Sequence, residues 1–586
     1  ANGMSNREVN EIRIHPGNRN LVFACTQQGL YRSNDGGNSF SQVYSEKTYD
    51  MKWHPTQPSK AYMIKNNPAL IRQEFFTSND TGATWQIQTN GWYTSSDPAR
   101  VDYGARLAVT PADPDRVYAY LIGESKPNDV GFIGLYRSDD GGLTWTLPNG
   151  PAGGPYSANH PNLARGTNTW QYHQGFYNCA LMASTTNADS ILIGGLNLWR
   201  SNDGGLTFSS VSGYIGGPLS MHVDNQDFRA FGNEYWITTD GGIYRGTDFY
   251  TSQPTVKMKG VHGADYWGFG QGWNEDVVVG GMYHNGNNAH HQNYPFGEFL
   301  GLGGGEAATG YVNPGINRKT YFSDIGGRLI PLSITGTITG IPFGLAPNET
   351  YFSAESSELE FHPNCYNVAY LGRDHKLWKT VDGGGAFSVV DSFGADPDAQ
   401  VKYIEISRSN PEVMYLTQQP ASGNQGKLWK TTDGGQTWVQ MGLPSGTNRR
   451  KVLLALDPED ENKLFAAFPD GGNGLKIYKT VNGAATWTNL TTSALDNESV
   501  HSIVLAGGTA DGIYFCTNKT VYYRDDITGT WAPFNLDLPI NFPTNIARAF
   551  YRDGKIRIAS YGKGIWESEL HTQPSRPICT PMANAL

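Results

Sequence analysis

An eight-residue pattern, Ser/Thr-x-Asp-x-Gly-x-Thr/Ser/Ala-Trp/Phe, recurs along almost the whole chain and limits its fold more than any other feature. Copies run from Ser33 to Phe40, Ser78 to Trp85, Ser138 to Trp145, Ser201 to Phe208, Thr380 to Phe387 and Thr431 to Trp438. A weakened copy runs from Thr480 to Trp487. Internal repeats decide architecture before any local reading. The Ser/Thr hydroxyl and the Asp carboxylate can bond nearby backbone N–H groups and hold a turn. The Gly supplies a positive φ, and the closing aromatic anchors the next strand in a core. The pattern is therefore a hairpin turn, and the carboxylates of Asp35, Asp80, Asp140, Asp203, Asp382 and Asp433 are structural. Hairpins repeated once per unit point outward on one rim. These acids are thus expected to lie apart, beyond the roughly 5–10 Å that paired carboxylate catalysis requires.

The unit around each turn is clearest near the start. Residues 9–16 alternate apolar and polar side chains, the mark of a half-buried strand. A turn at 16–20 leads to the apolar run 21–26, then to a strand over 28–33, the hairpin, and a strand over 40–44. The same order returns around 359–387, 403–438 and 452–487, and degenerate units without a full turn motif lie at 235–244, 320–327, 522–531 and 556–568. This predicts an all-β β-propeller of about twelve four-stranded blades. A propeller usually holds four to eight blades. Two rings are the expected solution, and a single wide ring of ten or more blades is the alternative. The expected domains are 1–345 and 346–570, with a Pro-rich linker over 571–586. The boundary is blurred, because 179 residues separate Asp203 from Asp382 against 45 to 63 between other successive copies. About three blades in that interval lack the motif, and the chain can cross between rings.

Composition agrees. The chain has 71 Gly among 586 residues, 12% aromatics and only 17% charged residues, which suits many strands and tight turns. The net charge of −10 is spread along the chain with no basic run, which argues against nucleic acid or an anionic membrane as partner. No run of 18 apolar residues is present, so no membrane insertion is expected. The start, Ala1-Asn-Gly-Met-Ser-Asn-Arg, carries no apolar signal segment, and the end reads as a linker. The reading is an excised piece of a longer chain, with other domains of that chain as partners. Cys25, Cys179, Cys365, Cys516 and Cys579 show no metal-like spacing. They read as buried free thiols, except Cys579, which could pair beyond the linker.

Two phrases, Gln174-Gly-Phe-Tyr-Asn-Cys-Ala-Leu and Ile193-Gly-Gly-Leu-Asn-Leu-Trp-Arg-Ser-Asn-Asp-Gly-Gly, join the repeated motif in a family resemblance. Together they resemble the Asp-box (BNR) propellers of large exported Bacteroidetes proteins, which are similar to sortilin-type ten-bladed propellers and two-propeller xyloglucanases. The resemblance covers residues 1 to about 570. It implies an extracellular or outer cell-surface location, export by type IX secretion, and further modules beyond the Pro-rich end. The chain departs from the family's phrases at His222-Val-Asp224-Asn-Gln226, at Gly280-Gly-Met-Tyr283-His284-Asn-Gly286 and at Gly304-Gly-Glu306-Ala307. Any ligand role those positions have in relatives is in doubt here. A sialidase's Arg trio is missing. The paired-Asp phrase of a xyloglucanase is echoed only by Tyr321-Phe-Ser-Asp324-Ile-Gly-Gly-Arg328.

The stretch 262–306 is the place to look for chemistry, since function concentrates in loops on a rigid scaffold. It holds His262, Asp265, His284, His290, His291, Glu298 and Glu306 beside Trp267, Trp273, Tyr283, Tyr294 and Phe296. The ligand-binding candidates are His222, His262, Tyr283, His284, His290, His291, Trp267 and Trp273. No metal site is expected, because the adjacent His290 and His291 face opposite sides of a strand. No cofactor is expected either, with calcium the one ion that acidic Gly-rich loops would suit. Trp92, Tyr93, Trp170, Tyr172, His173, Phe176 and Tyr177 form an aromatic-rich stretch, and most propeller aromatics are core. No Gly-x-Ser-x-Gly, His-Glu-x-x-His or phosphate-binding loop is present. The first functional reading is a non-catalytic surface module that binds glycan or protein through propeller rims. The second is a glycoside hydrolase using a carboxylate pair drawn from Asp324, Glu306, Asp265 and Asp224. The third is a structural spacer of a giant adhesin.

Overall fold

The computed structural model describes residues 2–573 apart from 95–100, 125–131, 149–161, 168, 170–172, 259–260, 262, 305–308, 316–317, 345–358, 395–398, 423–424, 448 and 509. Among them the chain forms twelve antiparallel sheets, ten of four strands and two of three, each with strands in sequence order. In chain order they span 9–44, 48–88, 101–138, 180–212, 225–256, 270–303, 311–341, 360–392, 400–441, 453–489, 500–533 and 544–569, and are numbered sheets 1 to 12. The described helices are two single 3-10 turns, Ser493–Leu495 and Tyr551–Asp553. This is the all-β, multi-bladed propeller expected from the repeats.

The turn motif owes its shape to hydrogen bonds within itself. Ser33 Oγ donates to Asp35 Oδ1 at 2.6 Å, and the amide of Gly37 donates to Ser33 Oγ at 2.9 Å. The Ser39 amide donates to Asp35 Oδ1 at 2.9 Å, and the Ser39 hydroxyl to Oδ2. Gly36 and Gly37 take φ of 74° and 92°, in the left-handed region where a side chain would strain the backbone. Asp80, Asp140, Asp203 and Asp433 make the same bonds to the Thr four residues on. Asp382, followed by Ala386 instead of a hydroxyl residue, loses only the second hydroxyl bond and keeps those from the Thr380 hydroxyl and the amides of Gly385 and Ala386. Hydrogen bonds from the neighbouring hydroxyls hold Asp80 and Asp433 down at about 2. In the weakened copy Asn482 replaces Asp, and its Oδ1 still accepts from the Thr486 amide at 2.9 Å.

The sheets fall into two compact units, 1–260 and 261–586. In the first unit, apolar clusters join neighbouring sheets in turn. Phe23, Met51 and Met63 fill the seam between sheets 1 and 2, and Phe75, Trp92 and Trp145 that between sheets 2 and 3. Sheets 3 and 4 meet through Tyr120, Leu135 and Ile193, and sheets 4 and 5 through Leu192, Phe228 and Ile237. Sheets 5 and 1 meet through charge instead, Arg229 to Glu11 at 2.9 Å. The first strands carry further ion pairs inward, Arg13 with Glu11 and Lys52 with Asp50.

In the second unit all seven seams are apolar, and the last sheet returns to the first. Tyr266, Phe269 and Val278 pack on Ala559. The Tyr266 amide bonds Ser560 O at 3.0 Å, and Arg557 grips both oxygens of Asp276 at 2.7 and 2.8 Å. Sheets 6 to 12 therefore close on themselves as a seven-bladed ring. This places the division after Gly260, not after residue 345 as the sequence reading set it. The physical reason is that sheets 6 and 7, which lack the motif, are tied to later sheets by Tyr266, Tyr311 and Tyr321 and their apolar neighbours. The start of the expected linker is still bonded to the ring: Thr572 Oγ1 donates to Gly507 O and Gln573 Nε2 to Gly554 O. Residues 574–586, with Cys579, lie outside the described residues. Cys25, Cys179 and Cys516 are buried free thiols, and Cys365 is half-buried. No helix among the described residues is long and apolar enough to cross a membrane.

Candidate functional site

The seven-bladed unit gathers Asp265, Trp267, Tyr283 and His284 at the seam where sheets 12 and 6 meet. Residues 264–268 run beside the second strand of sheet 6, Val277–Met282. The Tyr283 amide bonds Asp265 O at 2.8 Å and the Trp267 amide bonds Gly281 O at 2.9 Å. The following hairpin turns on His284, at φ 58°, and Gly286. Its geometry lays the Tyr283 ring on Trp267, 4.7 Å between centroids and 26° between planes, with the His284 ring stacked on Tyr283 at 3.9 Å. From sheet 12, the amide of Gly564 bonds Ala264 O and brings Tyr561 to 6.1 Å from Tyr283. Tyr561 is 43% exposed. Sequence reasoning missed it, since it joins the group only through ring closure, nearly the whole unit away along the chain.

Asp265 is half-buried beside these rings, and a Cβ on Gly562 would stand 3.1 Å from its Oδ1. Burial pushes its carboxyl above the usual carboxylate range, with the charge of His284 working the other way. A carboxylic acid with a raised value keeps its proton to higher pH than an exposed one and can donate it to a leaving group. Aromatic faces beside it offer a flat apolar platform with polar rims.

The other candidates are placed differently. Asp324 accepts both bonds of a single donor, Asn287 Nδ2, at 2.9 and 3.1 Å, and so ties sheet 7 to the buried Asn287 of sheet 6. Asp224, in the first unit, is buried at φ 62° and accepts from Asn178 Nδ2 at 3.0 Å. His222 Nδ1 lies 3.0 Å from the carbonyl of Val223. His290 Nδ1 meets Glu298 O at 2.8 Å, while His291 is fully buried against Glu275 at 3.7 Å. Burial holds His291 below its ordinary value. Glu306, His262, Trp170 and Tyr172 lie outside the described residues. Trp92 and Tyr93 are core, packed with Phe75 and Tyr136, whereas Phe176 and Tyr177 are exposed.

A cavity of about 1000 Å³ runs along the axis of the seven-bladed ring, lined by the first strands of its sheets. Trp267 lines it with Gln400, Lys451, His501 and Asn545, residues at or beside the starts of those strands. Trp273, Pro314, Pro363, Arg408 and Pro458 line it from the turns where first strands pass to second strands. The two ends of the cavity thus carry different chemistry.

No known family model matches the chain. In sequence it is similar to a xyloglucanase of Paenibacillus sp., 26% identical over 264 residues, covering 40% of this chain and 24% of that protein. It is also similar to a xyloglucanase of Hypocrea jecorina (strain QM6a), 30% identical over 200 residues, covering 32% of this chain and 21% of that protein. The chain thus spans under a quarter of the length of either curated relative. In structure it resembles a GH74 enzyme of Niastella koreensis, with a TM-score of 0.55 at 14% identity over 96% of this chain and 91% of that one. An ancestral GH74 enzyme gives 0.56 at 14% identity over 97% and 92%. At that identity the structural likeness establishes the fold, a multi-bladed β-propeller.

Proposed function

We propose that the protein is an exported glycoside hydrolase acting on a β-linked polysaccharide, with xyloglucan the first substrate to test. The observation that carries this reading is Asp265. A carboxyl raised by burial sits beside the stacked Trp267 and Tyr283 and the exposed Tyr561. In this reading the sugar rings lie on the aromatic faces, Asp265 gives its proton to the glycosidic oxygen as its bond to the anomeric carbon breaks, and a water oxygen ends bonded to that carbon, its proton passing to a carboxylate. The sequence similarity to two xyloglucanases supports the substrate class. Such a substrate lies outside the cell, which fits an extracellular location.

Hydrolysis also needs a second carboxylate, roughly 5–10 Å from the acid in the usual two-carboxylate mechanisms. The engagement of Asp324 by Asn287 favours a second reading, in which the same aromatic group binds glycan without cleaving it. Incubation with xyloglucan, mixed-linkage glucan and mannan, followed by reducing-end measurement, separates the two. Release that disappears in Asp265→Asn supports hydrolysis; retention of xyloglucan on the protein without release supports binding alone. Neither release nor retention removes both.

A further inference from the structure

The five sheets of the first unit share one register, which shows the face that each should cover. The residue two before the first Ser of the turn motif fixes a row across the first three strands. The rows are Ile12–Ala24–Tyr31, Met51–Met63–Phe76, Leu107–Ala119–Tyr136 and Leu181–Ile193–Trp199 in sheets 1 to 4. A register shift begins three residues before Ile12, before Met51 and before Phe228, which places Phe228 in the same row of sheet 5. Met51, Leu107, Leu181 and Phe228 are buried, each packed on the preceding sheet. Ile12 is 55% exposed, and Ile14 on the same face is 57% exposed.

The far side of sheet 5 is bare in the same way. Phe23, Tyr62, Tyr118 and Leu192 hold one position on the second strands of sheets 1 to 4, and each is fully buried against the next sheet. Trp236 holds that position in sheet 5, is only half-buried, and joins no apolar cluster among the described residues. Phe231, on the same face, is 66% exposed. Arg229 reaches Glu11 across the seam, but each has a second partner on its own strand, Asp227 at 2.8 Å and Arg13 at 2.7 Å. Parting the two sheets therefore leaves neither ion alone.

The contacts of Asn2 and Gly3 say what covers Ile12. The amide of Phe40, which closes the turn motif of sheet 1, donates to Asn2 O at 2.9 Å. The amide of Trp145, which closes that of sheet 3, donates to Asn90 O at 2.9 Å. Gly3 and Gly91 follow at φ 81° and 72°, and a Cβ on either would strike the carbonyl of the same aromatic residue. Asn90 and Gly91 lie just past the fourth strand of sheet 2, Gln86–Gln88. Asn2 and Gly3 thus occupy the place where the last strand of a preceding sheet ends.

We infer that the seam between sheets 5 and 1 takes a further propeller blade, a four-stranded antiparallel sheet apolar on both faces and continuous with Asn2 and Gly3. One of its faces covers Ile12 and Ile14, and the other covers Trp236 and Phe231. Grouped exposed apolar side chains mark such a docking face, and here the repeat's own register states the shape of the occupant. One added sheet keeps the ring within the usual range of roughly four to eight blades. The inference is independent of the role of Asp265.

The test adds a blade to the whole protein. A copy of residues 45–89, the blade of sheet 2, is placed directly ahead of Asn2, and a second fusion carries residues 399–443, the blade of sheet 9, in its place. Ile12→Cys and Phe231→Cys report on the two sides of the seam, and Val439→Cys, 63% exposed in the second unit, is the control. Thiol labelling with peptide mapping is expected to be fast at all three positions in the protein without an added blade. In at least one fusion it should slow about tenfold or more at positions 12 and 231 and stay unchanged at 439. Undiminished labelling at 12 and 231 in both fusions overturns the inference. So does slow labelling at these positions without an added blade; if that slowing grows with protein concentration and a dimer sediments, the occupant is a second copy of the chain.

Discussion

Arg229, on the first strand of sheet 5, holds both oxygens of Glu11, on the first strand of sheet 1, at 2.9 and 3.2 Å. Among the described residues no apolar cluster joins these two sheets, so charge replaces oil at this seam. Behind Glu11 lies Asp50, with no exposed surface, bonded by Lys52 at 2.7 and 2.8 Å and by the Leu107 amide at 2.9 Å.

That arrangement makes the stability of the first unit depend on the charge of Asp50. Burial would raise its carboxyl, but Lys52, Arg13 and Arg106 outweigh burial and bring it to about 2. A depressed carboxylate contributes stability that is present above the unfolded value near 4 and is lost as pH falls toward 2. Asp50→Asn leaves Lys52 and Arg13 buried against a neutral group, and the expected cost is about 3–5 kcal/mol. Urea unfolding at pH 7 and pH 3 checks this. The gap between wild type and variant should narrow at the lower pH.

The turn motif gives a sharper contrast. Asp203 receives the amides of Leu206 and Thr207 and the hydroxyls of Ser201 and Thr207. Asp203→Ala removes all four, with an expected loss of about 1–2 kcal/mol. Asp203→Asn should cost less than half of that, because Asn482 already makes the equivalent bonds in its own turn. Thermal unfolding of the two variants side by side decides it. Equal losses would mean that charge, and not geometry, holds these turns.

Thiol reactivity follows burial. Cys25, Cys179 and Cys516 are pushed up by burial, Cys179 to about 11, and are shielded from solvent. In the native protein Cys365 is expected to label first with a thiol reagent among the described cysteines. The other three should label only on unfolding.

Much of the fold was legible in the sequence because the turns announce themselves. The strands expected at 9–16, 21–26, 28–33 and 40–44 are Val9–His15, Asn18–Thr26, Gly29–Ser33 and Ser41–Tyr44. The long interval between Asp203 and Asp382 holds three motif-free sheets, 5, 6 and 7, as its length suggested. The division between units was not legible, because closure of a ring is a long-range event. It depends on Tyr266 meeting Ser560, and neither residue carries a local mark of that meeting. The same holds for the site. Asp265, Trp267 and Tyr283 were within view as neighbours in sequence, whereas Tyr561 became visible only when distant sheets were brought together.

The aromatic group supports a separable prediction about binding. Trp267→Ala removes the ring on which Tyr283 stacks and is expected to weaken xyloglucan retention about tenfold, the loss typical of an aromatic anchor. Affinity electrophoresis in xyloglucan gels measures it, with Trp199→Phe in the first unit as a control that should leave retention unchanged.

The most direct test of the account is the pH dependence of sugar release by wild type and Asp265→Asn, with their melting temperatures. The raised carboxyl predicts release from xyloglucan that declines as pH rises through its value, and no release from the variant. A raised folded value also means that the stability Asp265 contributes below the unfolded carboxyl value is lost as pH rises through the raised one. Asp265→Asn should therefore melt no lower than wild type at pH 7. Release that persists undiminished in Asp265→Asn, with the same pH profile, would contradict the account.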